Sequence, residues 1–151
     1  REREKYVSAE AILPNNVVYD RFLDTERFNI MLQSAFVDDE DKSKLLKYTA
    51  LITDDTVKNF GDDGISQKVT VKTGVASVSD AVVPNPVTLA PFRTFPEVEQ
   101  PESKFIFRMK EGPSAALFEA DGGAWRNKAI LNIKAYLEKE LEHNHNVEII
   151  A

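Results

Sequence analysis

A chain of 151 residues with 42% hydrophobic content suits one domain, and at that length folding buries about two-thirds of the unfolded surface. With no cysteine, disulfides, thiolate nucleophiles and cysteine-based zinc or iron–sulfur sites are excluded, and no apolar run reaches membrane-spanning length. The net charge of −6 works against nonspecific duplex binding, which rests on phosphate neutralisation, but leaves room for a local basic face.

The chain starts at Arg1 rather than Met, so residues upstream are expected. Residues 1–5 are of mixed charge and read as frayed. Residues 6–13 read as a strand, Pro14-Asn15-Asn16 as a turn, and residues 17–23 as the returning strand. Asp24 or Thr25 then caps a helix in which Phe28, Met31, Leu32, Ala35 and Phe36 recur at i, i+3, i+4, i+7 and i+8. The acidic run Asp38-Asp39-Glu40-Asp41 closes that helix and suits the positive N-terminal end of the next dipole. Leu45, Tyr48, Thr49 and Ile52 carry this second helix to about Thr53, and the two helices are close enough to pair.

Asp62-Asp63-Gly64 is a turn, and residues 65–78 are rich in β-formers. There Val69 and Val71 face one way and Lys68, Thr70 and Lys72 the other, with Gly74 as a hairpin turn or bulge. Residues 82–101 hold five prolines, Pro84, Pro86, Pro91, Pro96 and Pro101, among Val82, Val83, Val87, Leu89, Phe92, Phe95 and Val98. That density excludes a helix and a central strand, yet the segment is too apolar for a solvated linker. An extended arm is expected, packed on its own domain or on a neighbouring subunit.

From Lys104 onward the pattern sharpens. Phe105, Phe107 and Met109 alternate with Lys104, Arg108 and Lys110, the period of a half-buried strand. Glu111-Gly112-Pro113-Ser114 is a turn, residues 115–120 a second strand, and Asp121-Gly122-Gly123 a break with Asp121 as the helix cap. Beyond Trp125, residues Ala129, Ile130, Ile133, Leu137 and Leu141 form one helical stripe, expected to lie on the aromatic face of the hairpin. Residues 142–146 turn the chain and 147–150 read as a last edge strand. Strands joined as hairpins, with helices in blocks, define an α+β class. The expectation is a single domain over 1–151 with an extended proline-rich arm at 82–101. Its mostly antiparallel sheet carries a helix pair in the N-terminal half and one long amphipathic C-terminal helix packed on the sheet.

The chemistry-bearing patterns each have a plainer account. Asp121, Gly122, Gly123 and Trp125 at a helix start could present N–H groups to an anion, but the dinucleotide glycine spacing is absent and a helix cap after a tight turn explains them. His143 and His145 with Glu142 could hold a metal, but a solvated helix end suits the same residues. Asp38 to Asp41 and Asp54-Asp55 match no EF-hand loop and are explained as capping residues. Phe92, Arg93 and Phe95, with Lys104 and Arg108, have the composition of a single-strand stacking or partner surface, or of core aromatics with flanking charge. Trp125 reads as a core or interface anchor. No Gly-x-Ser-x-Gly elbow occurs, and no catalytic, cofactor or metal set is assigned.

Several runs carry a resemblance. They are Asp24-Thr25-Glu26-Arg27-Phe28-Asn29-Ile30-Met31-Leu32-Gln33-Ser34, Phe60-Gly61-Asp62-Asp63-Gly64-Ile65-Ser66-Gln67, residues 84–95 from Pro84-Asn85-Pro86 to Phe92-Arg93-Thr94-Phe95, Gln100-Pro101-Glu102-Ser103, and residues 116–125 from Ala116-Leu117-Phe118 to Ala124-Trp125. Together they resemble an uncharacterised family of phage and prophage proteins of Gram-positive bacteria, and more distantly the YfdQ-type prophage proteins. The resemblance covers most of the chain after the first twenty residues. It implies members longer at the N-terminus, genes in early or replication regions, and work in the cytoplasm of an infected or lysogenic host. It carries over no catalytic residues. The expected function is that of a non-enzymatic phage accessory protein, an interaction module that self-associates through the proline-rich arm and is open to a host or phage protein partner, without a membrane. The alternatives are a nucleic-acid accessory protein of phage replication or recombination using Arg93, Lys104 and Arg108, and a small-ligand sponge or hydrolase with a pocket near Asp121 to Trp125.

Overall fold

The computed structural model of the chain describes residues 4–50, 52, 57–62, 67–73 and 77–151. In chain order the elements are β1 (Leu23–Asp24), α1 (Thr25–Ala35), α2 (Glu40–Ala50), β2 (Val57–Asp62), β3 (Gln67–Thr73), β4 (Ser77–Val82), β5 (Val87–Leu89), β6 (Ser103–Lys110), β7 (Ser114–Glu119) and α3 (Trp125–Glu140). They form an α+β architecture with two antiparallel sheets, β1-β7-β6-β5 and β2-β3-β4.

The helix pair forms where the periodicity places it. Asp24 Oδ1 accepts the Arg27 N–H at 2.9 Å and Asp39 Oδ1 accepts the Lys42 N–H at 2.6 Å, satisfying donors that a helix start leaves orphaned, at about 1 kcal/mol per cap. The α1 stripe Phe28, Met31, Leu32 and Ala35, with Phe36 just beyond, is buried, as are Leu45, Tyr48 and Thr49 of α2 and Ile52 after it. Lys42 is buried too, and its ammonium donates to Phe36 O at 2.9 Å and Asp38 Oδ1 at 2.7 Å.

The helices cover one face of the four-stranded sheet. Ser103, Phe105, Phe107 and Met109 of β6 point into it, while Lys104, Ile106 and Lys110 face solvent. Phe107 meets Phe28 at 5.5 Å and Tyr48 at 6.1 Å between ring centroids, and Phe105 meets Phe36 at 6.3 Å and Tyr19 at 5.5 Å. Fully burying an aromatic of this size contributes about 1.5–3 kcal/mol. The aromatic face of the hairpin therefore belongs to α1 and α2, not to the α3 stripe. α3 packs on the sheet through its first turn, where Trp125 approaches Arg93 above Phe105. Only Ala129 of α3 is buried. Further along, Ile133, Tyr136 and Leu137 border a groove shared with Phe95 and Val98, and Asn132 Nδ2 donates to Glu99 O at 2.8 Å. The far half of the helix lies on the proline-rich segment.

That segment is folded into its own chain. Val83, Val87, Leu89, Ala90 and Val98 are buried, and between Pro86 and Pro91 it makes the three-residue edge strand β5. Proline bars a central position but not an edge. The outward Thr88 N–H is covered by Asp41 Oδ2 at 2.8 Å, which ties the edge to α2. Of the two expected placements, on its own domain or on a neighbouring subunit, the described residues show the first.

Residues 6–13 and 17–22 do not form the expected hairpin, and 147–150 form no strand. The outer edge of β7 pairs with Leu23 and Asp24 and accepts the Asp20 N–H at Leu117 O, 3.0 Å, so residues 20–24 occupy it and 6–13 do not pair there. Tyr6, Val7 and Ile12 are almost fully exposed, as is most of Ile150. Val17, Val18 and Tyr19 still pack against the core. The residues between β2 and β3, including Asp63-Gly64, and Gly74 between β3 and β4 lie outside the described residues, as do Asp54 and Asp55. β2–β3 and β3–β4 pair as antiparallel neighbours. The second sheet joins the first where the Gln67 side-chain amide exchanges hydrogen bonds with the Met109 backbone, 3.0 Å to its carbonyl and 2.7 Å from its N–H.

Candidate functional site

The inward register of β6 continues back from Phe105 to Ser103, and around that serine the chain gathers its densest polar cluster. Arg93 enters it from the proline-rich segment. Gln100 holds the approach, its Oε1 accepting the Arg93 N–H at 2.8 Å and the Thr94 N–H at 3.1 Å while its Nε2 donates to Phe95 O at 2.9 Å. The Arg93 side chain is only 7% exposed. Its Nη1 donates to Ser103 Oγ at 2.8 Å, and that hydroxyl donates to Asp121 Oδ2 at 2.6 Å. Its Nη2 lies 3.0 Å from Glu119 Oε1, close enough for an ion pair but without hydrogen-bond alignment. The guanidinium carbon sits 4.5 Å from the Trp125 ring centroid, 5.4 Å from Phe105 and 6.0 Å from Tyr19, within cation–π range of each.

Asp121 closes the cluster at the start of α3. Its carboxylate accepts the N–H groups of Gly123 at 2.9 Å and Trp125 at 3.2 Å. Burial works against the charged form, but the Ser103 hydroxyl, the two backbone N–H groups and Arg93 outweigh it and hold the carboxyl below the ordinary aspartate value. Burial raises the Tyr19 phenol above its usual range, with Arg93 opposing the shift. Gly122 and Gly123 both have positive φ, 63° and 82°, and a Cβ on Gly123 would collide with Arg126 Nη1. Arg126 in turn lies 5.0 Å from the Trp125 ring.

Several residues singled out in the sequence are thus brought together, but in a different role. Arg93, Asp121, Gly123 and Trp125 form one junction tying the proline-rich segment, β6, β7 and α3 to each other. The helix-start N–H groups proposed for an anion are already occupied by Asp121. Arg93 is consumed internally and is not on a surface with Lys104 and Arg108, which project from the opposite face of β6. Phe92 and Phe95 are half-buried beside it rather than presented as a stacking pair. Beside the junction an open concavity of about 500 Å³ is bordered by Thr88, Glu102, Lys104, Asp121, Trp125 and Lys128; its two lysines and two carboxylates mix charges over a shallow floor. Asp38, Asp39 and Asp41 are all engaged, by Lys42 Nζ, the Lys42 N–H and the Thr88 N–H. His143 is exposed and lies 3.3 Å from Glu142. No group of three or more metal-ligating side chains occurs among the described residues.

Tyr19, Ser103 and Glu119 were not singled out by sequence reasoning. Ser103 was within reach, since it shares the two-residue period of Phe105 and Phe107. Tyr19 and Glu119 come from distant segments and had no local signal. No protein-family model, curated protein or solved structure matches the chain. Among the described residues no helix is long and apolar enough to cross a membrane.

Proposed function

We propose that the chain is a non-enzymatic interaction module that self-associates, an accessory protein working in the cytoplasm of a bacterial host as the phage resemblance implies. The observation that carries this is α3. A sixteen-residue helix with one buried side chain leaves Ile130, Leu131, Tyr136 and Leu137 at the surface, whereas an amphipathic helix owes most of its stability to covering its apolar stripe. Among the described residues, Asp38, Asp39, Asp41, Arg93 and Asp121 are engaged in caps, ion pairs and the Arg93 junction. The proline-rich arm, buried in its own chain, no longer supplies the contact surface; α3 replaces it. Light scattering of the intact chain over a concentration series tests the reading. A mass above the monomer that is lost on changing Ile130 and Leu137 together to Ser supports it, and a monomer at every concentration refutes it.

A second reading has its own observation. The solvent face of β6 presents Lys104, Ile106 and Lys110, Phe118 pairs opposite Ile106, and Lys110 lies 5.0 Å from the Phe22 ring. Cations interleaved with apolar and aromatic side chains on an open sheet suit a single nucleic-acid strand. A gel shift with single strands that weakens with salt, and weakens further in Lys104→Glu with Lys110→Glu, is the outcome this reading requires.

A further inference from the structure

Resting on the self-association reading, we infer that the occupant of the exposed α3 face is the α3 of a second copy, running antiparallel about a two-fold axis near Ile133. Along α3 the residues Arg126, Ile130, Ile133, Leu137 and Glu140 recur at alternating steps of four and three. That is the heptad seam along which two helices pack. Ile130 and Leu137 on it are 48% and 38% exposed.

The charges on the seam set the direction. Arg126 and Glu140 each lie seven residues from Ile133, so in an antiparallel pair each Arg126 meets the Glu140 of the other copy, at both ends. A parallel pair would set arginine against arginine and glutamate against glutamate. The rest of the helix agrees. Residues 122–137 carry Arg126, Lys128 and Lys134 and no acid, whereas 138–142 carry Glu138, Glu140 and Glu142 with one lysine. An isologous two-fold contact requires such self-complementarity. It also locally relieves the repulsion that a net charge of −6 imposes on two copies.

The face extends beyond the helix. The helix alone is about 24 Å long, too little for the roughly 1,200–2,000 Å² of a stable interface. The same groove is bordered by Ala9, and Tyr6, Val7 and Ile12 of the segment that carries Ala9 are exposed.

The test uses the intact chain, whose lack of cysteine makes single-cysteine variants clean. Under mild oxidation, Ile133→Cys is expected to cross-link with itself. Arg126→Cys and Glu140→Cys are expected to cross-link only when mixed. Separately, Arg126→Glu is expected to weaken the dimer about tenfold, and the double variant Arg126→Glu with Glu140→Arg to restore it. A dimer in which Arg126→Cys and Glu140→Cys each cross-link with themselves overturns the antiparallel arrangement. A dimer indifferent to all five variants overturns α3 as the seam while leaving self-association standing. A chain that stays monomeric overturns both.

Discussion

Replacing Arg93 with Met keeps an unbranched apolar stem of about the reach of Nε and removes the guanidinium with its charge, donors and stacking plane, so it reads what the junction is worth. The donor bond to Ser103 Oγ at 2.8 Å is charge-assisted, a class worth about 1.5–3 kcal/mol. The partner at 3.0 Å, Glu119, is 39% exposed; solvent screens that ion pair, and it is credited with about 0.5 kcal/mol. The Trp125 stack at 4.5 Å is desolvated and adds about 1 kcal/mol. Because these groups share one guanidinium they do not add fully. The expected loss is about 3 kcal/mol, or roughly 6–12 °C in Tm at this chain length. Urea unfolding followed through Trp125, the only tryptophan, reads it directly, with the slope unchanged and the midpoint lowered. Arg93→Lys should recover only part, because a point ammonium cannot reach Ser103 and Glu119 together while stacking on Trp125. In a double-mutant cycle with Trp125→Leu, read by circular dichroism, a coupling of about 1 kcal/mol is expected. A loss below about 0.5 kcal/mol in Arg93→Met, or zero coupling to Trp125, would refute the junction as a structural device.

Other perturbations probe the remaining elements. Phe107→Ala empties a fully buried site between Phe28 and Tyr48 and should cost about 3–5 kcal/mol in chemical denaturation. Asp24→Ala removes the acceptor of the Arg27 N–H and should cost about 1 kcal/mol, measured the same way. Asp121 has a folded value below its unfolded one, so its contribution is present above the unfolded value of about 3.9 and is lost as pH falls through the lower folded value. A stability–pH series should therefore show wild type declining on the acid side, and Asp121→Asn less stable near neutrality with a flatter acid limb. Gly123→Ala and Gly112→Ala both force a side chain onto positive φ, 82° and 94°; thermal melts should show each losing about 1 kcal/mol, with little extra cost at Gly123 because the end of the flexible Arg126 side chain can move aside.

What was legible in the sequence was whatever a local period could encode. The five apolar positions of α1 and its Asp24 cap announce both where the helix begins and which side it buries. The alternation through Phe105, Phe107 and Met109 does the same for β6. The failures share one cause, which is that pairing is a non-local decision. Residues 6–13 alternate as well as many strands do, but the edge of β7 is taken by residues 20–24 and 6–13 pair with no strand. β5 is the reverse case, a strand hidden among prolines. Pro86 and Pro91 bound a window of four residues, of which Val87–Leu89 form the strand, and they pair at an edge position with Asp41 on its outer side. The junction was half legible. Asp121 and Trp125 stood out by position, and Arg93 by its aromatic neighbours. That a single guanidinium joins them depends on Gln100 and Ser103, which bring the proline-rich segment across β6.

The misplacement of α3 carries the functional consequence. Its apolar stripe is real as a sequence pattern, and the requirement that it lie on something apolar is sound physics. The hairpin beneath was the nearest candidate in sequence, but α1 and α2 reach that aromatic face first and fill it with Phe28, Phe36 and Tyr48. Left with only Ala129 buried and a groove along Phe95 and Val98, the helix keeps a stripe for which its own chain has no further surface. The opposite holds for the proline-rich segment, too apolar for a solvated linker, which buries Val83, Val87, Leu89, Ala90 and Val98 within its own chain. The apolar surface left exposed on α3 therefore lies where the helical period breaks its agreement with the fold, at Ile130 and Leu137, and the proposed self-association is tested there.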